Sequence, residues 1–212
     1  MKLEEPQHDL RDSPIPVADL QHGQAVLIRG PAMTGKYDLL LELLSALAAR
    51  SVLVSTSRQA EGARADFAAY GDPDQLWVAD CASRIHGREP ESSDRVRYAS
   101  SPRNLTEVGM KFTDLLGSIE ADGEAAVGVH SISELVMYTD VQQVYQFLTV
   151  LLAECRGVGW PVVAVVDDAA VGDQSINTLT EPFDVVVSTR RTDHRELRYC
   201  DPTGEESGWV PF

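Results

Sequence analysis

The 212-residue sequence predicts an α/β fold with a mostly parallel central sheet flanked by helices. Two observations predict it. Short, continuous apolar runs alternate with helical stretches, the pattern of strands buried on both faces. A glycine-rich turn, Gly30-Pro31-Ala32-Met33-Thr34-Gly35-Lys36, joins the first apolar run to the first helical stretch.

The elements follow in order. Residues 1–19 read as a polar lead-in, expected to be partly disordered. Residues 20–212 read as a single domain, long enough for one substantial core. Ala25–Arg29 is a buried strand running into Gly-Pro, and Lys36–Arg50 is a helix. Ser51–Ser55 is a second strand. Glu61–Tyr70 is a helix stopped by Gly71-Asp72-Pro73, and Gln75–Asp80 is a short strand. Ile85–Pro102 is polar and without period, and reads as a mobile loop. Leu105–Ile119 is a helix that Asn104 can cap. Ala125–Val129 is a strand, and Val141–Arg156 is a helix stopped by Gly157. Pro161–Val166 and Val185–Ser188 are strands, and Glu196–Tyr199 with Gly208–Phe212 suggests a terminal hairpin.

Charge dominates the composition. There are 33 acidic and 18 basic residues, a net charge of −15, and Lys2, Lys36 and Lys111 are the only lysines. So acidic a chain repels polyphosphate at long range, which disfavours nucleic acid as a partner. Scarce lysine with abundant acid resembles proteins of extreme halophiles. No run of eighteen apolar residues exists, so no membrane span is expected. Met1–Pro16 lacks a basic segment followed by an apolar one, so it is not read as a signal peptide and a cytoplasmic location is expected. Cys81, Cys155 and Cys200 form no C-x-x-C pair. They read as reduced thiols, the first two buried, and no metal site is expected.

Gly30 and Gly35-Lys36 have the spacing of a phosphate-binding loop. Its backbone N–H groups converge on an anion, the helix N-terminus adds partial positive charge, and Lys36 reaches the outer phosphates. Gly30 to Lys36, with Tyr37 beside them, are therefore the candidate nucleotide-binding residues, and ATP is the candidate ligand. The position after the lysine needs a Ser or Thr hydroxyl to hold magnesium. Tyr37 stands there on a long rigid arm, so magnesium coordination is expected to be weak or absent. Such a site also needs a strand-end aspartate for the metal. By pattern the better strand end is Asp167-Asp168, against a bland reading as solvated turn residues.

Several runs resemble, in their order, the archaeal KaiC-like branch of the RecA superfamily. They are Leu20-Gln-His-Gly23 before Val26-Leu-Ile-Arg-Gly30, Ser51–Thr56, Ala79-Asp80-Cys81, Ser101–Gly109, Val127–Leu135 and Val144–Leu148. The resemblance implies a RecA-like three-layer sandwich and, with the halophilic composition, a haloarchaeal origin. It also implies that His130 stands where the family has its metal-binding aspartate. The family's catalytic glutamates would fall near Thr56-Ser57-Arg58, where no carboxylate stands; Glu61 is the nearest. Tyr37, Ser57 and His130 therefore leave three expected roles unfilled, which implies a pseudo-ATPase. Relatives form rings or dimers, so a protein partner or self-association is expected. Arg190-Arg191 could serve as an arginine finger in a ring, or simply be surface charge.

The leading functional expectation is a regulatory or assembly module that binds ATP without efficient hydrolysis. A second is an active ATPase with an atypical magnesium site built from Lys36 with Asp167 or Asp168. A third, a recombinase-type DNA-binding module, conflicts with the acidic charge and the absence of a basic stripe.

Overall fold

A computed structural model of the chain describes residues 13–20, 22–85, 87, 90–119 and 123–212. Its strands are β1 (Ala25–Gly30), β2 (Arg50–Ser55), β3 (Leu76–Asp80), β4 (Val96–Tyr98), β5 (Ala125–His130), β6 (Val162–Asp167), β7 (Val185–Arg191), β8 (Arg195–Cys200) and β9 (Val210–Pro211). Its helices are α1 (Lys36–Leu47), α2 (Ala60–Phe67), α3 (Leu105–Leu116), α4 (Ile132–Tyr138), α5 (Val141–Val158), α6 (Asp168–Val171) and α7 (Asp173–Thr180). The strands form one sheet in the order β4-β3-β2-β5-β6-β1-β7-β8-β9. β4 through β7 of that row are parallel, and the β7-β8-β9 edge is antiparallel. This is the expected RecA-like α/β sandwich.

The apolar runs are continuous because the sheet has a core on each face. Along β1, Leu27 joins one core while Val26 and Ile28 join the other. Along β2, Val52 and Val54 face the first and Leu53 the second. The first core is closed by α3, α5 and α7, through residues such as Phe112, Leu148 and Leu179. The second is closed by α1 and α2, with Leu40, Leu44 and Phe67 fully or almost fully buried. Ile15 and Leu20 join this second core, so the described part of the lead-in is docked on it; residues 1–12 lie outside the described residues.

Parallel topology puts β1, β2, β3, β5 and β6 with their carboxyl ends on one side, where ligands of such sheets bind. β6 lies between β1 and β5, with Gly30 opposite Asp167 and His130 opposite both Val165 and Ser55.

Several boundaries differ from expectation. The segment read as a mobile loop contains β4, an edge strand in which Val96 alone is buried, too short to show a period; His86 and residues 88–89 lie outside the described residues. Helix α1 ends at Leu47, because Arg50 is drawn into register with Ala125 in β2 and the chain must reverse before it. Helix α5 passes through Gly157 and stops at Gly159, which takes the left-handed conformation at φ 75° and lets Trp160 N–H cap the Cys155 carbonyl. Three short helices, α4, α6 and α7, add to the expected elements. Asn104 caps α3 as expected, accepting from Glu107 N–H, and the terminal hairpin forms from β8 and β9. Cys81 and Cys155 are buried free thiols, as expected.

Candidate functional site: a phosphate loop beside an aromatic cluster

The loop from Gly30 to Lys36 wraps the N-terminus of α1. Gly30 sits at φ 150°, and a Cβ there would lie 2.3 Å from the Thr189 carbonyl oxygen of β7, so only glycine fits. Thr189 is itself a clasp. Its hydroxyl donates to Arg29 O at 3.1 Å and lies 2.7 Å from the buried Thr34 hydroxyl, which in turn donates to Pro31 O. At the tip, Met33 is 82% exposed and holds a left-handed φ of 62°.

Lys36 is buried, and its ammonium donates to the carbonyls of Gly30, at 2.7 Å, and Pro31. Burial lowers its pKa, opposed by the negative charges of Asp167 and Asp168. The loop thus holds its own lysine through two of its carbonyls.

Tyr37, Ser57 and His130 meet at one place. The rings of Tyr37 and His130 pack with centroids 4.5 Å apart at 49°. Ser57 Oγ lies 3.2 Å from His130 Nδ1. The Arg58 guanidinium also lies over the Tyr37 ring, 4.4 Å from the centroid, and pairs with Asp66 at 2.8 Å. The Tyr37 hydroxyl is buried beside Asp66, and burial, then the charge of Asp66, raises its pKa. Burial pushes the His130 pKa down to about 4, helped by the positive charges of Arg58 and Lys36. The imidazole is therefore neutral near pH 7.

The loop carrying Ser57 and Arg58 is fixed by Ser55, Thr56 and Asp80. Ser55 Oγ donates to Arg58 O at 2.6 Å. Thr56 Oγ1 donates to His130 O and Ser131 O and accepts from Ser131 N–H, tying β2 to β5. Asp80 is fully buried at the end of β3. Its carboxylate accepts from the backbone N–H groups of Ala60, Ala82 and Ser83 and from the Ser83 hydroxyl, at 2.7 to 2.8 Å. It anchors the start of α2 and with it the approach to Arg58. The signal was an acid ending an otherwise apolar strand, Leu-Trp-Val-Ala-Asp.

Asp167 ends β6 next to the loop. Its N–H donates to Ser133 Oγ, while its buried Oδ1 makes no hydrogen bond to the protein. Asp168 lies 3.5 Å from the Arg29 guanidinium. Among the described residues, no group of three or more His, Cys, Asp and Glu side chains is placed to hold a metal ion.

The arginine that reaches the loop is Arg195. It bonds Asp38 at 2.8 Å, and a Cβ on Gly35 would come within 2.8 Å of its Cδ. Gly35, at φ 84°, thus serves both the turn and this approach. Arg190 is instead engaged along the hairpin, 2.7 Å from Glu196 and stacked 4.1 Å over Trp209. Arg191 is exposed at the end of β7.

The fold recurs in solved structures. The chain is similar to the flagellar accessory protein FlaH from Methanocaldococcus jannaschii, at 12% identity and a TM-score of 0.57, covering 91% of this chain and 85% of that one. It is also similar to the uncharacterized protein PH0321 from Pyrococcus horikoshii, whose structure holds an unknown peptide. There the identity is 15%, the TM-score 0.57, and the coverage 85% of this chain and 84% of that one. No curated protein matches the sequence. Residues 23–189, from just before β1 into β7, match the family of unknown function DUF7504, and the chain belongs to that family.

Proposed function

We propose that this chain is a RecA-like regulatory or assembly module that binds ATP and does not hydrolyse it efficiently. The observation that carries the reading is the Tyr37–His130–Ser57 contact. Hydrolysis needs a metal-held phosphate and a base for the attacking water. In the positions that the family resemblance assigns to those roles stand a phenol, an imidazole and a hydroxyl, packed on one another. A base is most effective with a pKa near the working pH, and His130 is far below it. The loop keeps what binding needs: its glycines, the α1 N-terminus and Lys36. Nucleotide would be held by the loop N–H groups and by Lys36, which would exchange the Gly30 and Pro31 carbonyls for phosphate oxygens.

The assembly role draws on the two similar structures, one an accessory protein of a flagellum and the other carrying a bound peptide. The acidic, lysine-poor surface fits a haloarchaeal cytoplasm. The test is ATP binding and turnover in molar salt. Binding with turnover no greater than that of a Lys36→Ala variant supports the reading. Absence of binding would refute it.

One observation favours a second reading. Asp167 Oδ1 is buried, unpartnered and on the strand next to Gly30, where it could act in an active ATPase together with Lys36. Turnover abolished by both Lys36→Ala and Asp167→Asn would establish that reading.

A further inference from the structure

The charges around the loop point to how nucleotide is held, an inference that rests on the proposed ATP binding. A phosphate loop ordinarily brings a divalent cation to its polyphosphate, held by a hydroxyl next to the lysine and a strand-end carboxylate. Magnesium is a hard ion that takes oxygen ligands in a near-ideal octahedron and keeps several waters. The residues in those two ligand positions do not fit it, and the carboxylate nearest the loop, Asp167, ends β6 rather than β5. The only oxygen of the side chain after Lys36 is the Tyr37 hydroxyl, carried beyond a ring in contact with both Arg58 and His130. The strand end of β5 offers an imidazole already bonded to Ser57. Burial and the charges of Arg58 and Lys36 all act on that imidazole and keep it neutral.

The same features suit a bare polyanion. The half-exposed Arg58 guanidinium lies over the ring of Tyr37, the residue next to Lys36, 4.4 Å from its centroid, with one ion pair to Asp66. The pair with Asp66 runs through Nη1 and leaves the other donors of the planar fork available. The fork matches phosphate geometry, and the backbone beneath it is fixed by Ser55 and, through Ala60, by Asp80.

We infer that the site takes its nucleotide as the metal-free polyphosphate, with the Arg58 guanidinium in the part that a magnesium ion plays in other phosphate loops. Arg58 and Lys36 together supply the positive charge, and the Tyr37 ring is the platform that aims Arg58 rather than a failed metal ligand.

The experiment is a calorimetric titration of the full chain with ATP, in excess magnesium chloride and in excess EDTA at matched ionic strength. The expected result is affinity in EDTA equal to or tighter than in magnesium. Binding that needs magnesium, with affinity about tenfold or more weaker in EDTA, overturns the inference and leaves ATP binding standing. Absence of binding in both arms refutes the ATP-binding reading itself. Arg58→Gln should weaken binding in EDTA by about tenfold or more, the loss of a hydrogen bond to a charged group. Unchanged affinity in a variant whose circular dichroism matches the parent overturns the role of Arg58. The comparison of the two arms on the unaltered chain needs no variant to fold.

Discussion

The phosphate loop and the strand-end cluster beside it share one mouth of the sheet but were built under different constraints. The loop is specified by backbone. Gly30 and Gly35 are there because β7 and Arg195 leave no room for a Cβ, and every polar side chain in it has a partner. The cluster is specified by side-chain chemistry: two rings, a hydroxyl and a guanidinium in contact. Backbone geometry survives substitution at neighbouring positions, whereas a metal site is lost with its ligands. A chain can therefore keep the loop and change what the loop works with.

The largest expected effect tests whether the cluster depends on a remote anchor. Asp80→Ala removes a buried acceptor of four hydrogen bonds, so it should destabilise the fold by about 3–5 kcal/mol in urea unfolding. Loss below about 1 kcal/mol would mean that the loop bearing Arg58 is held elsewhere.

A smaller effect belongs to the cluster itself. His130 has a folded pKa of about 4, below its ordinary value of 6.5, so the unfolded chain binds the proton more readily. The stability it protects is complete above pH 6.5 and is lost as pH falls toward 4. Melting temperatures across that window should fall more steeply for the parent than for His130→Gln. Parallel slopes would show that His130 is not held neutral by its surroundings.

The smallest effect belongs to the loop. Met33 is exposed and left-handed, so Met33→Gly removes strain without uncovering a core. Part of the gain is offset by the freer unfolded chain, leaving a net stabilisation of about 0.5 kcal/mol, measurable as a shift in the urea midpoint. Destabilisation would mean that Met33 makes contacts worth more than its strain.

Legibility followed the same division. The main strands and the loop were readable because burial on both faces forces unbroken apolar runs, and a tight turn forces glycine. β4 was not, since a three-residue edge strand with one buried residue carries no period. Asp80, Thr189 and Arg195 were not, because each acts on residues far along the chain: Asp80 on Ala60, Thr189 on Thr34, and Arg195 on Asp38. Arg190 and Arg191 drew notice as a pair, yet the arginine against the loop is Arg195, across the hairpin turn from them.

The sequence by itself determined the α/β class and the phosphate-loop turn, which follow from local chemistry: hydrophobic period, and glycine at a forced turn. The resemblance to the KaiC-like branch added Ser57 and His130 to Tyr37 as expectations. Only the tertiary structure decided that the three touch, that Arg58 lies over Tyr37, and that Asp80 holds the segment carrying it. These pairings depend on β2, β3 and β5 ending side by side. Strand order is settled by how two apolar faces are covered at once, which no single segment encodes.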